Sequence, residues 1–218
     1  MKQVRADDSF TFIIKKQEEK KNYRWSLAGW LETKEKMRLM DLWLALHAPS
    51  PYEFIFGGDY LTGSQTPGSS FSGGSLFFIA YASIFGLELK GQLKAPVDYW
   101  QAVFRLRIFG YHDQASNITL HAGVRTRQGT DSFRNALTGG SISIYVAKFF
   151  GIEGKAIHLF DSTPSPLGTQ FSGTEFDMGA FIEFSFVRIF GKYFSHPSTL
   201  NGSEISETGV RFGTQLYF

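Results

Sequence analysis

Hydrophobic and polar residues alternate along most of this chain, which places successive side chains on opposite faces of extended strands. Ten segments show the alternation, at residues 9–16, 23–33, 40–47, 52–59, 77–90, 100–108, 118–127, 142–151, 176–185 and 209–218. The pattern predicts an all-β fold of ten antiparallel strands, with eight strands as the alternative count. We expect one domain, residues 1–218, with residues 1–8 as an N-terminal tail, a charged turn at 34–36 and either a bulge or the membrane boundary near 149–151.

The two faces of these segments differ more than an ordinary β-sandwich requires. One face is large and aromatic, whereas the other carries mainly Arg, Glu, Asp, Gly, Ala and Ser, with few lysines. Several segments also reach the length of about 9–11 residues with which a tilted strand crosses a bilayer. Together these features predict a transmembrane up-and-down β-barrel with an apolar outer wall and a polar lumen. A soluble calyx with the faces reversed is the alternative, but its outer wall would carry few charges.

The composition of the chain argues against several other classes of protein. The longest apolar stretch, residues 76–87, is shorter than the roughly 18 residues of a membrane helix. A net charge of +2 with no basic block argues against nucleic-acid binding. The chain has no cysteine, and its five histidines share no ligand spacing, so we expect no metal and no cofactor. The first residues lack the apolar core of a signal peptide, and we expect a form from which that peptide has been removed.

The last eight residues, 211–218, are similar to the C-terminal assembly signal of bacterial outer-membrane β-barrels. In that pattern a polar residue is followed by a glycine, a hydrophobic residue and a terminal aromatic, here Arg211, Gly213, Leu216 and Phe218. The resemblance implies a small, monomeric barrel in the outer membrane, with the barrel-assembly machinery, membrane lipid and lipopolysaccharide as its partners. Barrels of this family keep both termini on the periplasmic side, which would place the connections 62–74 and 159–172 there as well.

Charged residues on the polar face are the candidate lumen residues. The proposed lining is Arg24, Asp41, Glu53, Glu88, Arg105, Arg107, Arg125, Arg127, Asp177, Glu183 and Arg211. Acids and bases are balanced on this face once Glu32, Asp59 and Lys90 are included, which favours ion pairing, since unpaired buried charges are costly. Four arginines, at 105, 107, 125 and 127, lie on neighbouring strands. They could attract anions at a constriction, or they could pair with Glu88, Asp177 and Glu183.

Three functional hypotheses follow from this architecture. The first is a narrow pore for small solutes or ions. The second is a non-conducting barrel that serves as an anchor or a surface interaction protein through its flexible loops, 62–74 and 161–173. The third, a lipid deacylase, rests on His196 and Ser198 with Glu204 nearby, a histidine–serine pair of the kind found in some small outer-membrane enzymes. Because Pro197 separates that pair, we expect no enzyme and assign no catalytic residue.

Overall fold

In the computed structural model of the protein, residues 50–66, 68–94, 98–128, 132–162 and 170–218 are described, together with Lys34 and Lys36. The predicted strands at 9–16, 23–33 and 40–47, and with them Arg24, Glu32 and Asp41, lie outside the described residues. Lys34 and Lys36 were expected in a turn, but both have helical backbone. Among the described residues, no helix combines the length and the hydropathy of a membrane span.

The second of the chain's two units, Pro51–Phe218, contains ten antiparallel strands that close into a barrel. Each strand pairs with its neighbours in sequence, and β1 pairs with β10 to close the cylinder. The predicted fold class, ten strands in up-and-down order, is therefore confirmed. The strands are β1 Tyr52–Thr66, β2 Ser69–Ala82, β3 Phe85–Lys94, β4 Asp98–Phe109, β5 Asn117–Gln128, β6 Phe133–Ala147, β7 Phe150–Leu159, β8 Phe171–Phe184, β9 Val187–Leu200 and β10 Ser203–Tyr217.

Several predicted strand positions are wrong because tight turns interrupt apolar runs. The segment 77–90 contains the turn between β2 and β3, where Ser83 has a positive φ of 60°. The bulge expected near 149–151 is instead the turn between β6 and β7. No predicted segment covers β9. At such turns the apolar residues Ile84, Phe149 and Phe186 continue the hydrophobic pattern, so the sequence lacks the Gly, Pro or Asn that usually marks a turn.

The outer wall of the barrel is apolar, whereas the surface of a soluble protein is mainly polar. Outward side chains such as Phe104 and Ile144 are 48% and 42% exposed, while inward arginines and glutamates are buried. One predicted face is wrong: the alternation predicts that Phe77, Ile79 and Tyr81 lie on the apolar outer face, but they point inward and pack in a lumen cluster with Ile55 and Tyr217. An apolar exterior around a charged interior is typical of a barrel that spans a membrane.

The barrel has two distinct ends. We call the end that carries Tyr52 and Phe218 the C-terminal rim, and the opposite end the far rim. The C-terminal rim holds three two-residue turns and the longer β4–β5 loop, residues 110–116. The β1–β2 and β7–β8 connections lie at the far rim. The expected location of 62–74 and 159–172 on the same side as Phe218 is therefore wrong, because no predicted segment covers β9, and one additional strand between these connections and Phe218 reverses their side. The division of the predicted segments 77–90 and 142–151 into β2, β3, β6 and β7 adds two strands and leaves the side unchanged.

The strands extend beyond the apolar part of the wall at the far rim. Outward residues there are mostly hydroxylated, namely Thr62, Ser64, Ser72, Thr199 and Ser206. The β1 strand has 15 residues. At the usual tilt of about 40° this length gives a height of about 38 Å, compared with about 25 Å for the apolar band of such barrels. The far rim therefore forms a polar extension of the wall.

Candidate functional site

The polar lumen is the candidate functional site, and the inward faces of the strands build it. Nine of the eleven predicted lining residues are described, and all nine lie on inward positions. Six of them are at most 8% exposed: Glu53, Glu88, Arg105, Arg107, Arg125 and Arg211. The other three, Arg127, Asp177 and Glu183, are half-buried.

The four arginines on β4 and β5 make different contacts inside the lumen. Arg105 Nη1 donates to Glu88 Oε2 at 3.3 Å, and Arg107 Nη2 donates to Glu53 Oε2 at 2.9 Å. Arg125 pairs with Glu175 on β8, whereas Arg127 lies over the ring of Phe171. The separation lowers the like-charge repulsion that neighbouring arginines would otherwise cause.

Arg125 is held from two sides in the far half of the lumen. It forms a two-pronged ion pair with Glu175, in which Nη2 lies 2.7 Å from Oε2 and Nη1 contacts Oε1. It also donates to Gln101 Oε1 through Nε at 3.1 Å, and its guanidinium stacks 4.3 Å from the ring of Tyr99. Paired donors of this kind are stronger and more directional than a single contact, so this part of the lumen is rigid.

Apolar side chains fill the lumen near the far rim. Val103, Leu137, Ile157, Leu159 and Phe171 form one buried cluster, with Phe133 and Leu200 packed against it. Arg127 lies over the ring of Phe171 at 3.8 Å, a cation–π contact. Asn135 Nδ2 donates to the carbonyl oxygens of Phe160 and Phe171 at 2.8 and 2.7 Å, which ties the ends of the β7–β8 connection to the inner wall.

The β4–β5 loop folds into the lumen at the C-terminal rim. Gly110 begins it with a φ of +85°, a conformation that costs other residues energy. The loop backbone is then fixed by side chains of the barrel: Glu53 Oε1 accepts from the Asp113 N–H at 2.8 Å, and Arg107 donates to the Tyr111 carbonyl at 2.7 Å. Gln114 Nε2 donates to Glu183 Oε1 at 3.1 Å. These contacts place the loop across the mouth of the barrel.

Arg188 is the centre of this closure, and its side chain is 2% exposed. It donates to Glu183 Oε2 and to the Asp113 carbonyl, both at 2.8 Å, and stacks 4.2 Å from the ring of Phe181. The Asp113 carboxylate also accepts from Tyr217 Oη at 3.1 Å. Burial opposes the charged form of Asp113, but the guanidinium groups of Arg188, Arg105 and Arg107 outweigh it and hold the pKa of this carboxyl below its ordinary value.

A cavity remains at mid-height, and we call it the central chamber. Its volume is about 90 Å³. Eleven charged side chains line it: Asp59, Glu88, Lys90, Arg105, Asp113, Glu153, Lys155, Asp177, Arg188, Lys192 and Arg211. The chamber therefore lies between the β4–β5 loop on one side and the Arg125–Glu175 pair and the apolar cluster on the other.

The histidine–serine pair does not have the geometry of a nucleophile and its base. His196 Nε2 lies 2.9 Å from Asp177 Oδ1, inside the lumen. Ser198 Oγ donates to the Ile205 carbonyl at 3.2 Å, while Glu204 is exposed on β10. The hydroxyl is thus occupied by the backbone and does not donate to His196. Within the described ranges, no group of three His, Cys, Asp or Glu side chains is arranged to hold a metal.

The C-terminal residues take part in closing the barrel. Phe218 N donates to the Phe54 carbonyl at 2.9 Å, and Phe54 N donates to the Phe218 carbonyl at 3.1 Å. Leu216 and Phe218 face outward, and Arg211 and Gly213 face the lumen. The residues of the assembly pattern thus lie on the strand that makes the seam with β1.

Sequence reasoning missed several residues that organise the lumen, namely Asp113, Glu153, Lys155, Glu175, Arg188 and Lys192. Five of them lie on strands, and the alternation continues through them: Arg188, Phe190, Lys192 and Phe194 are successive inward positions of β9. Placing the turns correctly would have brought these five into the lining. Asp113 lies in a loop, and no periodic pattern could have assigned it to the lumen.

No protein-family model matches the sequence, and no curated protein sequence matches it. Among solved structures, the chain is similar to the transport unit of the autotransporter AIDA-I from Escherichia coli, with 8% identity and a TM-score of 0.39 over 78% of this chain and 90% of that one. It is also similar to the translocator domain of the autotransporter NalP from Neisseria meningitidis, with 12% identity and a TM-score of 0.34 over 86% and 96%. A third similar structure is Ail, the attachment invasion locus protein of Yersinia pestis, with 9% identity and a TM-score of 0.29 over 77% and 98%.

The closed antiparallel barrel of ten strands agrees with the expected resemblance to bacterial outer-membrane barrels. The comparisons identify no subfamily.

Proposed function

We propose that the protein is a non-conducting, membrane-spanning barrel of the bacterial outer membrane that acts through its polar far rim. The observation that carries this proposal is the occupied lumen. The β4–β5 loop covers one end, buried ion pairs fill the middle, and the cluster around Phe171 fills the other end. A conducting pore needs a continuous water-filled path, whereas the space that remains between the buried ion pairs is a chamber of about 90 Å³.

The outer wall supports the membrane location independently of the lumen. Exposed phenylalanines, leucines and isoleucines surround the barrel from the C-terminal rim upward, and burying them in lipid removes a large apolar area from water. The hydroxyl-rich extension at the far rim then projects from the membrane. If the termini are periplasmic, this extension and the β7–β8 connection face the outside of the cell, where they would contact lipopolysaccharide head groups or another molecule.

We expect the refolded protein to insert into a planar bilayer without producing discrete current steps. The physical reason is that the paired charges and the packed side chains leave no path for hydrated ions. Heat-dependent gel mobility establishes that the barrel is folded and inserted, and a general porin in the same bilayer is the positive control. Salt-dependent steps from the wild-type protein would overturn the proposal.

The narrow pore remains the second candidate, and the charged lining of the central chamber is the observation in its favour. If the protein gives steps, changing Arg105 and Arg125 to alanine tests the arginine cluster. A constriction formed by these residues would lose its preference for anions, whereas purely structural arginines would change stability and leave the ion preference as it was.

We predict that deleting Phe218 impairs assembly in cells. The deletion removes both hydrogen bonds to Phe54 at the seam and the terminal aromatic of the assembly pattern. Membrane fractionation with heat-dependent gel mobility measures the result, and Phe218→Tyr is the matched control that keeps an aromatic residue. In vitro refolding separates the two contributions: a deletion variant that refolds normally but fails in cells points to recognition by the assembly machinery. Normal insertion in cells would remove the support for an assembly signal.

A further inference from the structure

Several cationic donors that line the central chamber have no acceptor within normal hydrogen-bond distance. The ammonium nitrogen of Lys90 lies 3.8 Å from Asp59 Oδ2, and that of Lys155 lies 3.8 Å from Glu88 Oε1. Both distances exceed the range of a normal hydrogen bond. Each ammonium has three N–H groups, so these two side chains bring six donors to the chamber, with only long contacts to carboxylates.

Arg211 is a third side chain of this kind. It is 7% exposed, and its contacts to carboxylates are also long, at 3.6 Å from Nε to Asp59 Oδ1 and 3.7 Å from Nη1 to Asp177 Oδ2. Its Nε has no hydrogen-bond partner among the described residues, and neither does the buried hydroxyl of Ser143, which also lines the chamber. Buried donors without acceptors are costly, so an acceptor is expected in the space that they face.

The chamber also contains unpaired acceptors, but cations lie close to them. Asp59 Oδ1 and Glu153 Oε1 lack a hydrogen-bond partner among the described residues. Arg211 Nε is 3.6 Å from the first, and Lys192 Nζ is 2.9 Å from the second. Six basic and five acidic side chains line the chamber, and the carboxylate of Glu183, outside the lining, pairs with one of the basic side chains, Arg188.

We infer that the central chamber is a binding site for one compact monovalent anion, of which chloride is the model, held by Lys90, Lys155 and Arg211. The anion accepts hydrogen bonds from the three cationic side chains that face the chamber, and such charge-assisted bonds are stronger than those to a neutral acceptor. A volume of about 90 Å³ accommodates such an ion with a few waters, since one water needs about 10–15 Å³ of such space. The inference goes beyond the proposed function and does not depend on whether the barrel conducts, because the chamber lining alone defines the site.

Bromide is the probe, because it replaces chloride and scatters anomalously. Crystals of the refolded full chain grown in a bromide salt should show an anomalous peak in the chamber, within contact of Lys90 or Lys155. Thermal unfolding in lipid vesicles should give a Tm that rises with bromide concentration, compared with gluconate at equal ionic strength. A chamber that contains only water, together with equal Tm values in the two salts, would overturn the inference.

Variants separate the chamber from general effects of salt. Lys155→Met should weaken the apparent affinity for bromide by about tenfold or more, because it removes one charge-assisted contact. Lys148→Met, in the exposed β6–β7 turn, is the matched control and should keep the wild-type bromide dependence. Equal bromide dependence in the two variants would also contradict the site. If Lys155→Met does not fold, the presence or absence of an anomalous bromide peak in the wild-type crystal still tests the anion site.

Discussion

Replacing Arg188 by methionine should destabilise the barrel by about 3–5 kcal/mol, the typical cost of leaving the partners of a buried charge unpaired. Methionine matches the aliphatic part of the arginine side chain but lacks the guanidinium that stacks on the ring of Phe181. The change leaves the carboxylates of Asp113 and Glu183 buried without their shared cation, and it removes the donor to the Asp113 carbonyl. Denaturant unfolding in vesicles, followed by gel mobility, measures the loss.

The matched control for this variant is Arg134→Met, since Arg134 is exposed on the outward side of β6. Pairs formed by exposed charges typically contribute about 0–1 kcal/mol, so this change should cost little. Adding Glu183→Gln to Arg188→Met should recover part of the lost free energy, because it removes one of the two unpaired carboxylates. A loss below about 1 kcal/mol for Arg188→Met would mean that water replaces the arginine and that the mouth is not sealed.

Replacing Phe104 by arginine should cost about 2–4 kcal/mol if this outward position lies at the level of the bilayer centre. Phe104 is 48% exposed on β4, and its ring lies 6.1 Å from that of Phe85 on the neighbouring strand. The main cost arises from moving a cation into hydrocarbon. Equilibrium unfolding in lipid vesicles gives the free energy.

Ser64→Arg is the control for the wall, because Ser64 is an exposed residue of β1 in the polar extension at the far rim. The cost there should fall to about 0–1 kcal/mol, as it does near membrane interfaces. Equal costs at the two positions would mean that the wall carries no depth-dependent lipid band. That result would count against a membrane-spanning orientation and favour a water-soluble barrel.

The outward and inward faces of the central strands were predictable from the sequence, because side chains in a strand alternate strictly. The faces of β4, β5 and β10 agree with the pattern, and so does the closed ten-stranded barrel. The face of β2 was not predicted, since Phe77 and Ile79 are apolar yet line the lumen. Both faces of β2 are apolar near the C-terminal rim, so hydrophobicity alone does not distinguish them.

The partners of the buried charges were beyond prediction from the sequence. Arg107 pairs with Glu53 over a separation of 54 residues, and Arg188 contacts Asp113 over 75 residues. Such contacts cross the lumen between strands that are not neighbours, so neither alternation nor strand order specifies them. The β4–β5 loop is a further case: its sequence is that of an ordinary polar turn, and only the three-dimensional arrangement places it inside the mouth.

The contacts of the β4–β5 loop also determine when the barrel can seal during folding. Asp113 receives a hydrogen bond from Tyr217, 104 residues later in the chain, and contacts Glu53 on the first strand as well as Arg188 on the ninth. Contacts between residues so distant in sequence form late, because closing long loops costs entropy. In a folding barrel that lacks β10, the β4–β5 loop therefore lacks its contact with Tyr217, and the C-terminal rim stays open. The loop can take its final position only after β10 has paired with β1.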